Sequence, residues 1–151
     1  MLSPEEMFER PLGGEDTEKE VPHWCGNVLW AIIAFLQKVL YRYRVHGREH
    51  IRDLQGVSGI VIAPTHHSFL DVTFIWCAVR LPQWARMLAR SNLFEKNWLV
   101  SQPLARVGAF PITRDSADRT AVKRAARMLK NKECVCIFPE GTRRGKSTTK
   151  P

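Results

Sequence analysis

Apolar and polar positions along this chain fall into short unbroken apolar runs and longer stretches with helical spacing. Gly59-Ile60-Val61-Ile62-Ala63-Pro64 is short, β-branched and closed by proline, which predicts a buried strand. Cys134-Val135-Cys136-Ile137-Phe138, ended by Pro139, predicts a second, and residues 84–88 and 107–112 predict two more. Between them, residues 68–79 set Phe69, Val72, Ile75, Trp76 and Val79 at helical spacing. Residues 116–131 predict an amphipathic helix, with Ala121, Val122, Ala125, Met128 and Leu129 on its apolar side. Its other face carries Arg119, Lys123, Arg124, Arg127 and Lys130. Residues 93–107 read as helix broken at Pro103. Strands alternating with helices define an α/β class, a mostly parallel central sheet flanked by helices.

The N-terminal third follows another pattern. Residues 28–36 are apolar all round, Gln37 and Lys38 interrupt, and Val39-Leu40-Tyr41 resume. A spanning helix needs about 20 mostly apolar residues, and the unbroken stretch here is about half that. Trp24, Trp30, Tyr41 and Tyr43, with Lys38, Arg42 and Arg44, have the composition of interfacial anchors. The segment 22–45 is therefore expected to be a membrane-associating helix lying in or dipping into a bilayer surface; the plainer alternative is a buried core helix. Residues 1–21 are acidic, punctuated by Pro and Gly, and read as a mobile tail. They lack the basic and apolar regions of a signal peptide. Residues 46–151 form the α/β domain. The loop after the last predicted strand would normally lead into a further helix and strand, so the domain reads as missing its C-terminal part.

Charge sharpens the division. The chain has 151 residues and a formal net charge of +8. Residues 1–20 hold seven acids and two bases, a net of −5, which leaves +13 on the remainder. So basic a body suits an anionic partner: nucleic acid, an acidic membrane surface or a phosphorylated substrate. Four cysteines without CxxC pairs are neither a disulfide scaffold nor a zinc site, and they suit a reducing, intracellular setting.

Three strand ends carry the candidate chemistry. Thr65-His66-His67-Ser68-Phe69-Leu70-Asp71 follows the first predicted strand, and open α/β sheets place ligands at the C-terminal ends of their strands. A histidine oriented by a carboxylate is the equipment of a general base. On a regular helix His67 and Asp71 share a face, whereas His66 fits only if it lies on the turn before the helix. Taken alone, the pair also fits a helix start with two surface histidines. Phe138-Pro139-Glu140-Gly141-Thr142-Arg143-Arg144 can offer backbone amides and arginine charge to a phosphate; its plainer reading is a tight turn and a solvated basic stretch. Gly108-Ala109-Phe110-Pro111-Ile112-Thr113-Arg114 ends another run on an arginine. Convergence of all three on one pocket favours the functional reading.

HHSFLD, GAFPITR and FPEGTRR, in this order and spacing, resemble the glycerolipid acyltransferase family, the 1-acyl-glycerol-3-phosphate acyltransferases and their relatives. The resemblance spans about residues 24–151. It places the motif histidine on His66 and its aspartate on Asp71. It implies that Gly108, Arg114, Glu140, Gly141 and Arg143 bind the acceptor's glycerol phosphate, with Thr142 beside them. Arg90-Ser91-Asn92-Leu93-Phe94 is similar to the segment between the first two motifs, where Arg90 is the one basic residue and a further substrate contact. Family members continue past the third motif with another strand-and-turn motif that this chain lacks.

The resemblance implies that His66, held by Asp71, deprotonates the free hydroxyl of lysophosphatidic acid. The oxygen attacks the thioester of acyl-CoA or acyl carrier protein, giving phosphatidic acid for phospholipid biosynthesis. It implies no metal and no cofactor beyond the co-substrate, and no serine shows nucleophile-elbow context. The expected setting is the cytoplasmic face of a membrane. Alternatives are another lysophospholipid as acceptor, or an inactive lipid-binding module. Nucleic acid is not an expected partner, because the basic residues sit at strand ends and on one helix without interleaved aromatics.

Overall fold

Four short strands, all parallel, carry the architecture. A computed structural model of the protein describes residues 2–15, 18–54, 56–80, 84–95, 97–113 and 118–141. In chain order the elements are α1 (Pro4–Glu9), α2 (Trp24–Tyr41), α3 (Arg48–Leu54), β1 (Ile60–Ile62), α4 (Leu70–Val79), β2 (Ala85–Arg90), α5 (Asn92–Glu95), α6 (Trp98–Arg106), β3 (Phe110–Ile112), α7 (Arg119–Lys130) and β4 (Cys134–Cys136). The sheet order is β1-β4-β2-β3. Cys134, Val135 and Cys136 have no exposed surface, because β4 is an inner strand covered on both faces. The α/β class matches the alternation of patterns in the sequence.

The N-terminal segment corrects the expectation of a mobile tail. Ser3 and Glu6 form a capping box that starts α1: Glu6 N donates to Ser3 Oγ at 3.2 Å and Ser3 N donates to Glu6 Oε2 at 2.7 Å. Met7, Phe8, Leu12 and Val21 are buried in the core. Glu9 bonds Arg124, at 2.7 Å, and Arg127 on the basic face of α7. Beneath it, Arg86 Nε meets Glu133 Oε2 at 2.8 Å; Leu12 N donates to the same oxygen, and Arg86 also donates to the Arg10 carbonyl. Acidic side chains here face a basic helix while scattered apolar ones fill the core.

α2 lies along α4, and its contacts run in antiparallel order. Asn27 meets Arg80, Trp30 Nε1 donates to the Cys77 carbonyl at 3.5 Å, and Gln37 Nε2 donates to Thr73 Oγ1 at 2.9 Å. Tyr41 and Tyr43 pack on Phe74, and the Arg80 guanidinium stacks on Trp30 and Trp84. By length and composition α2 could cross a membrane, with 18 residues and mean hydropathy 1.3. Its inner face is nevertheless occupied by the body. Its outer face exposes Trp24, Val28, Ile32, Phe35, Leu36, Val39, Leu40 and Tyr41.

Two further expectations change. Pro103 stands inside α6 without ending it. The amide it lacks would have bonded the Leu99 carbonyl, in an exposed turn where water can substitute. Val122 is 67% exposed, so only Ala121 and Met128 of α7 are fully buried and the apolar stripe is narrower than its sequence suggests.

Candidate active site

β1 runs out through Ala63-Pro64-Thr65 to a turn that presents His66. Asp71, in the first turn of α4, folds back on that turn, and its Oδ2 accepts from the amides of His67 and Ser68, both at 2.6 Å. The same oxygen lies 3.3 Å from His66 Nδ1. It is therefore the ring of His66, and not that of exposed His67, that faces the carboxylate. Helical spacing alone favours His67, but α4 starts at Leu70 with Phe69 as its N-cap, so that spacing does not apply to His66 and His67.

The surroundings of Asp71 favour its ionised form. Partial burial opposes ionisation of Asp71, but the amides of Ser68 and His67 and the ring of His66 outweigh it and hold the carboxyl below its ordinary pKa. An ionised carboxylate can only accept, so the His66 tautomer that bonds it is the one with the proton on Nδ1. Both side chains are partly buried, so the dyad stays open to a substrate.

β4 supplies the second wall. β1 and β4 pair in register with Ile62 opposite Cys136, and Ile137 N extends the ladder to the Ile62 carbonyl at 2.9 Å. The Phe138 ring lies against His66, centroids 4.2 Å apart and planes at 31°. Glu140 Oε2 accepts from the His66 amide at 3.2 Å. Gly141, at φ 61°, closes the turn by donating to the Phe138 carbonyl at 3.1 Å.

The remaining candidates divide. Arg90 ends β2, the strand beside β4, and is exposed at the same end of the sheet. Arg114, Thr142 and Arg143 lie outside the described residues; in sequence they follow β3 and β4 closely. Gly108 is not brought to the cluster. It precedes β3, at the other end of the strands, where it is buried with Leu12 Cδ2 only 2.4 Å from where a Cβ would stand. The structure gives it a packing role.

The sequence did not reveal the contacts of Phe138 and Glu140 with His66, since these depend on the pairing of strands some 70 residues apart. A cavity of about 570 Å³ beside the C-terminal ends of β2 and β3 was equally hidden, because α1 forms part of it; Phe8, Ser91, Phe94, Thr113, Asp118 and Arg124 are among its lining. Among the described residues no group of three His, Cys, Asp or Glu side chains is placed to hold a metal ion.

The described site is a partly exposed His66–Asp71 pair at the C-terminal ends of a parallel sheet. Comparison with known proteins gives the family. A family model described as Acyltransferase matches residues 42–151. The 1-acyl-sn-glycerol-3-phosphate acyltransferase of Bacillus subtilis (strain 168) is 33% identical over 120 residues, covering 80% of this chain and 56% of the relative. This chain belongs to the acyltransferase family. It spans about half the length of that curated relative.

Proposed function

We propose that the protein transfers a fatty acyl group from a thioester, acyl-CoA or acyl carrier protein, to the free hydroxyl of 1-acyl-glycerol-3-phosphate. The observation that carries this reading is His66 Nδ1 against Asp71 Oδ2. Nε2 takes the hydroxyl proton as the oxygen attacks the thioester carbonyl; the thiolate leaves and recovers the proton. No acyl-enzyme intervenes. Arg114 and Arg143 hold the acceptor's phosphate, with Arg90, Gly141 and Thr142 around it, and so aim the hydroxyl. The name of the Bacillus subtilis relative supports lysophosphatidic acid as the acceptor.

The acceptor is a lipid, and the chain carries a surface suited to a bilayer. The C-terminal half of α2 exposes Phe35, Leu36, Val39, Leu40 and Tyr41 beside the start of α4, where Phe69 is 72% exposed three residues from His66. Lys38, Arg42 and Arg44 accompany them, as an anionic surface requires. The packing of α2 along α4 supports a helix that lies in the interface rather than crossing it, which would put the dyad where acceptor lipids are. Four free thiols support the cytoplasmic face.

Thiol release from acyl-CoA on adding lysophosphatidic acid, with product analysis over a panel of lysophospholipids, tests the reading. Transfer to lysophosphatidic acid is expected. Lipid binding without thiol release would leave only a binding module.

A further inference from the structure

We propose that Glu140 is a positioning residue for His66 and not a ligand of the acceptor's phosphate. The inference rests on the reading of His66 as general base. Three groups fix His66 from three directions. Asp71 holds Nδ1, the Phe138 ring covers one face, and Glu140 accepts from the backbone amide at 3.2 Å. Two of the three come from the segment after β4, whose pairing with β1 continues through Ile137. The two strand exits are thus tied together at the residue that must be held still.

Charge argues the same way. A carboxylate pointed at a phosphate repels it, whereas one that accepts from a backbone amide has part of its charge compensated there. In this arrangement the glutamate of FPEGTRR reaches back to the backbone of the histidine in HHSFLD. A misplacement of about 1 Å at a reacting group can cost ~10²-fold in rate, so a residue that fixes the His66 backbone acts on turnover rather than on affinity.

The test compares Glu140→Ala and Glu140→Gln by steady-state kinetics and by hydrogen exchange of the His66 amide, followed by NMR. Glu140→Ala is expected to lower kcat by ~10²-fold with KM for lysophosphatidic acid little changed, and to speed exchange at His66. Glu140→Gln keeps an acceptor oxygen and should recover most of both losses. A raised acceptor KM at unchanged kcat in Glu140→Ala would overturn the proposal, as would His66 exchange equal in all three proteins. Exchange that behaves as expected while His66→Ala remains fully active would instead overturn the general-base reading and leave the Glu140 contact standing.

Discussion

Arg86 Nε and Glu133 Oε2 meet at 2.8 Å inside the protein, and the N-terminal segment is hung on that pair through the Leu12 amide and the Arg10 carbonyl. Both side chains are almost wholly buried. Removing one partner leaves the other charge without compensation, which costs about 3–5 kcal/mol. Glu133→Ala is therefore expected to lower unfolding stability by about that much in urea titration. Replacing both residues by apolar ones, Arg86→Met with Glu133→Leu, should restore a large part. A single change costing under about 1 kcal/mol would show that the pair behaves as if it were at the surface.

Acid should unfold the protein through a few carboxylates. Burial opposes ionisation of Glu9, but its bonds to Arg124 and Arg127 prevail; for Asp118 the dominant cause is the Thr113 amide, followed by that of Ala121 at the start of α7. Asp71 is lowered as well. Each carboxyl pKa is depressed in the folded state, so its contribution is present above the unfolded value of about 4 and is lost as pH falls through the folded value. Thermal stability should be flat near neutrality and decline below about pH 4. Asp118→Asn should flatten that decline in part. A midpoint that does not move between pH 6 and 3 would contradict these assignments.

Gly26 should prove indispensable to the seating of α2. A Cβ built on it would stand 2.2 Å from the Trp84 ring, so helix and ring approach only because the side chain is missing. Overpacking of this kind costs about 1–3 kcal/mol. Gly26→Val should destabilise by that amount and increase trypsin cleavage after Lys38 or Arg42. A variant as stable and as resistant as the parent would mean α2 is not seated on Trp84.

The strands, α4 and α7 were legible because their apolar residues are bounded by Pro, Gly and polar turns in runs of the right period. The N-terminal segment was not, because Met7, Phe8, Leu12 and Val21 follow no period and lie among acids whose partners, Arg124 and Arg127, are more than 100 residues away. α3 buries no residue, and so left no apolar pattern to read. At the site, the first motif was readable as chemistry. The choice of His66 over His67 depends on a turn, however, and the engagement of Glu140 on strand pairing, neither of which residue spacing encodes. Gly108 looked like a phosphate contact because of its motif, yet Leu12, from the segment that was hardest to read, covers it.

The proposed function requires that arginine not be replaceable by lysine at position 114. Lysine lacks the planar fork that engages two oxygens at once. Arg114→Lys is expected to weaken use of lysophosphatidic acid more than it weakens acyl-CoA binding, and an acceptor without phosphate should lose little further. Equal losses for both acceptors, measured as kcat/KM, would make Arg114 structural only.

Membrane binding should depend on the face of α2 and on Phe69. Phe35→Ser with Leu40→Ser should reduce sedimentation with vesicles containing anionic lipid. Salt should weaken what remains, since each basic residue near such a surface contributes about 1 kcal/mol. Binding unchanged by both would place the bilayer contact elsewhere.

The dyad is tested most directly by thiol release from acyl-CoA in the presence of lysophosphatidic acid, comparing the parent with His66→Ala and His67→Ala. Loss of a general base costs ~10²–10⁴-fold. His66→Ala should lose activity on that scale while still binding lipid, and His67→Ala should stay close to the parent. A crippled His67→Ala beside an active His66→Ala would contradict the account.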